Sequence, residues 1–483
     1  MKIFTASFVF VFSLVLYGQN QNENENTVFR KKVLDNTEVH WLLSVYGQNG
    51  ENAAVTGGIG NEELNDFAQN IQVAIPVNTD NIMNLDITIS GYTSASSSNL
   101  NPFDKDDDAK NRPEASAHKS VYAPLTGSPW VASSGASRKD VWINFNVGYT
   151  HYSGDRNRIY GAGLGVAKEF DYFSKSGHLS YTALFNEKNT EISLGTKFFL
   201  DKWNPQYPIE IKTFIKNDGD LNADLFYGVP ILDQNGTPTD KNSTHTWRPA
   251  VNEFLNNKNR NTYVLSLSFS QILSPRAQMA VMTDITYQTG WLANPMQRVY
   301  FADKPNYYIG KAEDIAYYTN PKNTGVFQLA DAYEKLPASR LKFPVGIRLH
   351  YYINEYVVLR TYYRYYFDTW GIHSNTLEME LPLKISGKFT LYPSYRYYNQ
   401  TAADYFAPYE EHLSTEKFYT SDYDLSAFSA HQAGFGVKYT DIFTSHKIWK
   451  LAIKSIMLDF DHYMRSTGFK ANIISLNMNL VAD

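Results

Sequence analysis

Between Leu341 and Asn399 apolar and polar residues alternate with a period of two. Leu341, Phe343, Val345, Ile347, Leu349, Tyr351 and Ile353 are apolar or aromatic, with Lys342, Gly346, Arg348 and His350 between them. After the break at Asn354-Glu355 the pattern resumes. Val357, Leu359, Thr361, Tyr363, Tyr365 and Phe367 fall on one face, and Arg360, Arg364 and Asp368 on the other. A third run sets Leu377, Met379, Leu381, Leu383 and Ile385 against Glu378, Glu380 and Lys384. A fourth sets Phe389, Leu391, Tyr395 and Tyr397 against Lys388, Ser394 and Arg396. Successive side chains of a strand point to opposite faces, so this period predicts strands. Long runs with charge on one face and aromatics on the other suit a wall between lipid and a wet lumen.

The same reading along the chain predicts about sixteen strands. They cover 37–46, 66–77, 82–93, 138–152, 158–170, 176–186, 190–202, 261–273, 278–290, 341–353, 356–370, 373–385, 388–399, 427–441, 447–465 and 469–481. In the fifteenth, Lys454 interrupts the apolar face of Ala452, Ile456, Leu458 and Phe460, which predicts a bulge or a shifted register. The links sort by length. Short ones at Asn78, Ser153, Glu187, Ser274, Asn354 and Ser386 alternate with others that include very long ones, at 94–137, 203–260, 291–340 and 400–426. With both termini periplasmic, every long link falls on the outer side, as in outer-membrane barrels. The fold class is therefore all-β, a transmembrane antiparallel β-barrel with short periplasmic turns and long external loops.

Composition agrees. Over 483 residues the mean hydropathy is −0.39, and only the N-terminus holds an apolar run. Helical spans need about 20 apolar residues each, which excludes that membrane class. Aromatics reach 15 %, with 36 Tyr, 29 Phe and 8 Trp, enough for interfacial girdles. A net charge of −5 does not favour nucleic acid as a partner. Without cysteine there is no disulfide, thiolate metal site or lipidated N-terminal cysteine. Residues 1–18 read as a signal peptide, with Lys2, the run FVFVFSLVL and Gly18; 19–36 read as a flexible segment and 37–483 as the barrel domain.

Three segments carry a resemblance: TGWLANP from Thr289, YYRYYFDTWGIHSNTLE from Tyr362 and YPSYRYYNQTAADYF from Tyr392. SQILSPRAQ from Ser270 and NEKNTEISLG from Asn186 add to it. Together they resemble a Gram-negative family of predicted outer-membrane barrels catalogued as domain of unknown function 3570. The resemblance implies an integral outer-membrane protein whose signal peptide is removed, with outer-membrane lipids and the barrel-assembly machinery as partners. It also implies a neighbouring lipoprotein or other envelope protein and a link to an envelope redox pathway. The last residues, Leu480 to Asp483, lack the terminal aromatic of the common assembly signal.

The strongest chemical constellation is the lumen face of the four central strands. Arg348, His350, Arg360, Arg364 and Arg396 would share it with Asp368, Glu378 and Glu380. Strands about 4.8 Å apart let arginines of one reach carboxylates of the next. Such a network either stiffens the lumen or forms a constriction that selects solutes by charge. The acidic run Asn99–Asp108 has no EF-hand order and reads as a solvated loop. Glu410-Glu411-His412 is too short to fix a metal, and Gly161, Gly163 and Gly165, on one face of a strand, suggest a kink or close packing at the wall. No catalytic motif appears, so no catalytic, cofactor or metal residues are assigned and no enzyme activity is expected.

Two expectations follow. The alternation puts Leu359 and Leu381 against lipid and Thr376 in the lumen, where arginine would be tolerated. The two longest links, 203–260 and 291–340, carry Trp247, Phe254, Tyr300, Phe301, Tyr307, Tyr308, Tyr317 and Tyr318, too much aromatic surface for loops left in water. They are expected to fold over the mouth and narrow it, with or without a docked partner. A channel is the leading function, a structural or assembly component of an envelope complex the alternative, and an outer-membrane enzyme the least favoured.

Overall fold

A computed structural model describes residues 31–95, 136–320 and 325–482. The stretch read as a signal peptide, most of the segment 19–36 and the acidic run lie outside the described residues. Among these residues one antiparallel sheet of eighteen segments closes on itself. Leu383–Lys384 continues the twelfth strand beyond a break, and Lys447–Ile448 is a two-residue partner at the foot of the fifteenth. Sixteen staves remain, each paired with its sequence neighbour. Closure comes from the first strand, Glu38–Asn49, against the last, Lys470–Ala482, in register from Glu38↔Val481 to Asn49↔Lys470. Closure removes the edges that would otherwise leave backbone donors and acceptors unpaired in hydrocarbon.

Local chemistry accounts for the irregularities. The predicted strand 373–385 breaks after His373–Glu380, because Pro382 has no N–H for the ladder, although its carbonyl still accepts from Val358 N at 3.2 Å. In the fifteenth strand, Leu451–Arg465, the register shifts between Ile453 and Ser455. The bulged residue is Lys454, whose Nζ lies 2.7 Å from Glu38 Oε1 across the closing seam. The predicted strand 176–186 begins four residues earlier, at Tyr172.

The two faces differ as the alternation requires. Val345, Ile347, Leu349, Tyr363, Tyr365, Leu377, Met379 and Leu381 are all exposed on the outside. That much exposed apolar surface fits lipid rather than water. On the inside of the early strands Asn70 donates to Asp86 Oδ1 and Thr88 Oγ1 at 3.2 and 2.8 Å, and Gln72 to Asp86 Oδ2 at 3.0 Å. Gly161, Gly163 and Gly165 lie on the lumen side of the fifth strand, Arg158–Lys168. A Cβ on them would collide with Ser180, His178 and Asn146 respectively, so the close-packing reading applies.

Above the external rim, links 204–258, 291–338 and 401–427 combine with 50–63 into a compact cap. The ninth strand delivers the chain to it at Gly290, whose φ of +104° and contact with the Asn259 carbonyl leave no room for a side chain. One core contains Ile211, Phe226, Ile231, Trp247, Ile309 and Leu329, each at most 1 % exposed. The helix Ile209–Lys216 contributes Ile211 and Phe214. Trp247 Nε1 donates to Ala330 O at 3.0 Å, joining two of the long links. Of the eight aromatics expected to fold inward, Trp247, Tyr300, Phe301, Tyr308 and Tyr318 are buried and Tyr307 is partly so. Phe254 and Tyr317 face outward.

Candidate functional site

The lumen face is set by the period of the tenth to fifteenth strands. In register, Arg360 of the eleventh strand (Val357–Asp368) lies beside Glu380 of the twelfth and opposite His350 of the tenth (Ser339–Asn354). Arg360 Nη1 sits 2.8 Å from Glu380 Oε1, with the guanidinium 5.9 Å from the Tyr392 ring centre. Arg348 sits over Tyr362 at 5.4 Å. Glu378 lies between Tyr362 and Arg396 in register.

Asp368 differs. It shares the lumen period but stands at the external rim, buried, and accepts from Arg340 Nε at 2.9 Å, from the Tyr366 hydroxyl, and from Trp370 N at 2.8 Å. Arg340 also stacks over Trp370 at 4.3 Å. Asp368 is therefore a rim brace; periodicity gives a side chain's face but not its height along the barrel. Thr376 likewise proves to be only 1 % exposed, beside Arg364 in register. The expectation that arginine is tolerated there is corrected: the side would be lumenal, but the space is filled and a cation is already adjacent.

Two chambers meet at Arg396. The outer, about 340 Å³, lies beneath the cap and is lined by Arg364, Arg396, Tyr398, Asp424, Tyr463 and Arg465. The inner, about 210 Å³, gathers Glu378, Glu380, Asp459 and Asp461 around Arg396. Arginines outnumber the carboxylate that lines the outer chamber, and carboxylates outnumber the arginine that lines the inner one, with Arg360 paired to Glu380 at the same level. Sequence reasoning missed Asp459, Asp461 and Arg465. Once the bulge at Lys454 is taken into account, these three alternate with the outward Leu458, Phe460 and Met464. It missed Asp424 because a loop residue carries no periodic signal.

The cap closes the outer chamber through 401–427. The short turn Tyr423–Leu425 brings Asp424 Oδ1 within 2.5 Å of Arg465 Nη1, while Gln400 Nε2 donates to Asp424 O at 3.0 Å. Behind it Asp422 accepts from Gln297 Nε2 at 3.0 Å. A fully buried ion pair locks the cap: Arg298 Nε and Nη2 meet the two Glu210 oxygens at 2.8 and 2.9 Å, and Nη1 donates to Val55 O at 2.7 Å. Three links converge on that one guanidinium. Burial raises several cap acids: Glu334 to about 8, Asp331 and Glu62 to about 7, and Asp422 to about 6. His412 has both ring nitrogens engaged, Nδ1 at 2.6 Å from Glu416 and Nε2 at 2.9 Å from Thr420 O, so it joins neighbouring segments of the cap. Among the described residues no three His, Asp or Glu side chains converge as metal ligands.

A family model described as "Protein of unknown function (DUF3570)" matches residues 6–468. Comparison with curated proteins gives no match. Among solved structures, a TodX monoaromatic hydrocarbon channel mutant is similar at TM-score 0.39 and 10 % identity, covering 93 % of this chain and 91 % of that one. A bacterial polysaccharide outer membrane secretin gives 0.38 and 10 %, with 94 % and 100 % covered. OpdK of Pseudomonas aeruginosa with vanillate gives 0.35 and 8 %, with 92 % and 98 % covered. Likeness this slight says nothing about cargo.

Proposed function

The chain belongs to the DUF3570 family, which brings no assigned activity, and from the lumen itself we propose that it is a non-enzymatic outer-membrane channel for small polar solutes. The observation that carries this is a folded cap above a lumen with two chambers lined by charged side chains. Sixteen strands enclose space wide enough for water unless it is filled, and the cap narrows the access to it. Pairs such as Arg360–Glu380 then act both as struts and as a charged passage. The same reading places the protein in the outer membrane of a Gram-negative bacterium, inserted by the barrel-assembly machinery after removal of a signal peptide.

Liposome swelling tests the proposal. Vesicles carrying the full chain should swell in small zwitterionic or anionic solutes and not in oligosaccharides too large for the narrowed mouth. Swelling no faster than protein-free vesicles would remove the channel reading.

A second reading is favoured by one feature. The periplasmic turn at 441–450 presents Phe443 at 87 % and Trp449 at 77 % exposure. Those side chains suit an interface, either with the inner leaflet or with an envelope protein such as a lipoprotein, and a component of a redox-linked envelope complex would use it. Co-purification with and without Phe443→Ser distinguishes the two, because membrane anchoring alone retains no protein partner.

A further inference from the structure

The outer chamber holds more positive charge than its own carboxylate neutralises. Three arginines, Arg364, Arg396 and Arg465, face it with one aspartate, Asp424. Asp424 is engaged with Arg465 at 2.5 Å. Of the other arginines on the lumen face, Arg340 meets Asp368 and Arg360 meets Glu380, while Arg348 lies over the Tyr362 ring. Arg364 and Arg396 have no such ion pair among the described residues, and the Nε of each is buried without a hydrogen-bond partner. A buried donor left without a partner is costly, more so when charged, so two in one cavity call for an acceptor.

We propose that this chamber is a binding site for a small oxyanion, of the size of an organic monocarboxylate, held by the guanidinium groups of Arg364 and Arg396. The inference rests on the channel reading, since the ligand is a solute on its way through the lumen. Guanidinium forks match the two oxygens of a carboxylate, and the cavity, near 340 Å³, takes a ligand of that class. Tyr398, Tyr463 and Phe428 line the remaining wall and give an apolar body something to rest against. Arg465 is already committed, flanked by Phe428 at 4.7 Å and Phe469 at 4.5 Å and paired with Asp424, so it frames the site. Below, Glu378, Glu380, Asp459 and Asp461 make the inner chamber less favourable for an anion. The outer chamber is therefore where a permeating anion dwells before it moves on.

The test is equilibrium titration of the purified full chain in detergent with benzoate, and separately with inorganic phosphate. Saturable binding of benzoate at one site is expected, weakened about tenfold by Arg364→Gln or Arg396→Gln. Arg276→Gln, in the turn between the strands Asn259–Ser274 and Ala277–Gly290, leaves it unchanged. Heat-modifiable gel mobility selects variants that have folded, and Arg364→Lys, which keeps the charge without the fork, binds with intermediate affinity. Phosphate that displaces benzoate makes the site a general oxyanion site, and phosphate that does not makes it selective for carboxylates; both support the proposal. No benzoate binding to the folded wild type, or binding indifferent to both Gln variants, overturns it. Because titration needs no current, lost binding with intact solute flux refutes this site alone, and binding without flux refutes the channel alone.

Discussion

At the scale of single residues, what matters is which side of the wall a side chain occupies and what already fills the space there. Leu359 is the third residue of the strand Val357–Asp368, on the outward period, and Leu381 is exposed outside. Arginine on the lipid face costs about 2–4 kcal/mol at the bilayer midplane and less toward the interface, where Leu359 lies. Leu359→Arg is therefore expected to lower the folded fraction, read as loss of heat-modifiable mobility. Thr376→Arg should also fail, for a different reason: its side chain is buried beside Arg364. Thr376→Val should fold normally, since it keeps the volume and removes a hydroxyl that has no hydrogen-bond partner. Side was legible in the sequence at all these positions, and at Arg360 and Glu380 so was the neighbour. Height and crowding were not, which is why Asp368 was grouped with the lumen network when it braces the rim through Arg340.

At the scale of elements, the strands and their punctuation were readable because each depends on local rules. Pro382 interrupts a ladder and Lys454 marks a bulge whatever the rest of the chain does. The cap was legible only as a surplus of aromatic residues. Its lock, Glu210 with Arg298, joins residues 88 apart in sequence and has no periodic signature. Removing one member of a buried pair costs about 3–5 kcal/mol. Glu210→Ala is thus expected to make the cap sensitive to added protease while the barrel keeps its heat-modifiable mobility. The cap should also loosen with rising pH. Glu334, Asp331, Glu62 and Asp422 have folded-state pKa values raised by burial to about 8, 7, 7 and 6. The unfolded segment ionises first, near about pH 4, so stability falls from there up to the folded values and then levels off. Limited proteolysis should cut the cap more slowly at about pH 5 than at about pH 9. Equal rates at both would show that these acids do not govern it.

For the whole molecule, the barrel supplies a sealed wall, the cap sets the width of its mouth, and the lumen carries charged chambers beneath it. The first of these was plain from alternation and from links sorted by length. The third was half visible: the central four strands gave Arg348, His350, Arg360, Arg364, Glu378, Glu380 and Arg396. Asp459, Asp461 and Arg465, on the strand two along from that of Arg396, alternate with Leu458, Phe460 and Met464 and carried the same signal beyond the bulge. Single-channel conductance in a planar bilayer tests the central claim most directly, comparing the full chain with a variant in which 291–338 is replaced by a short Gly-Ser link. That excision removes Arg298 and the strands Tyr308–Gly310 and Val326–Gln328 from the cap while leaving every stave of the barrel. The account predicts small, discrete conductance for the full chain and a severalfold larger conductance for the variant. Silence from both, with each protein shown to be folded and inserted, would contradict it.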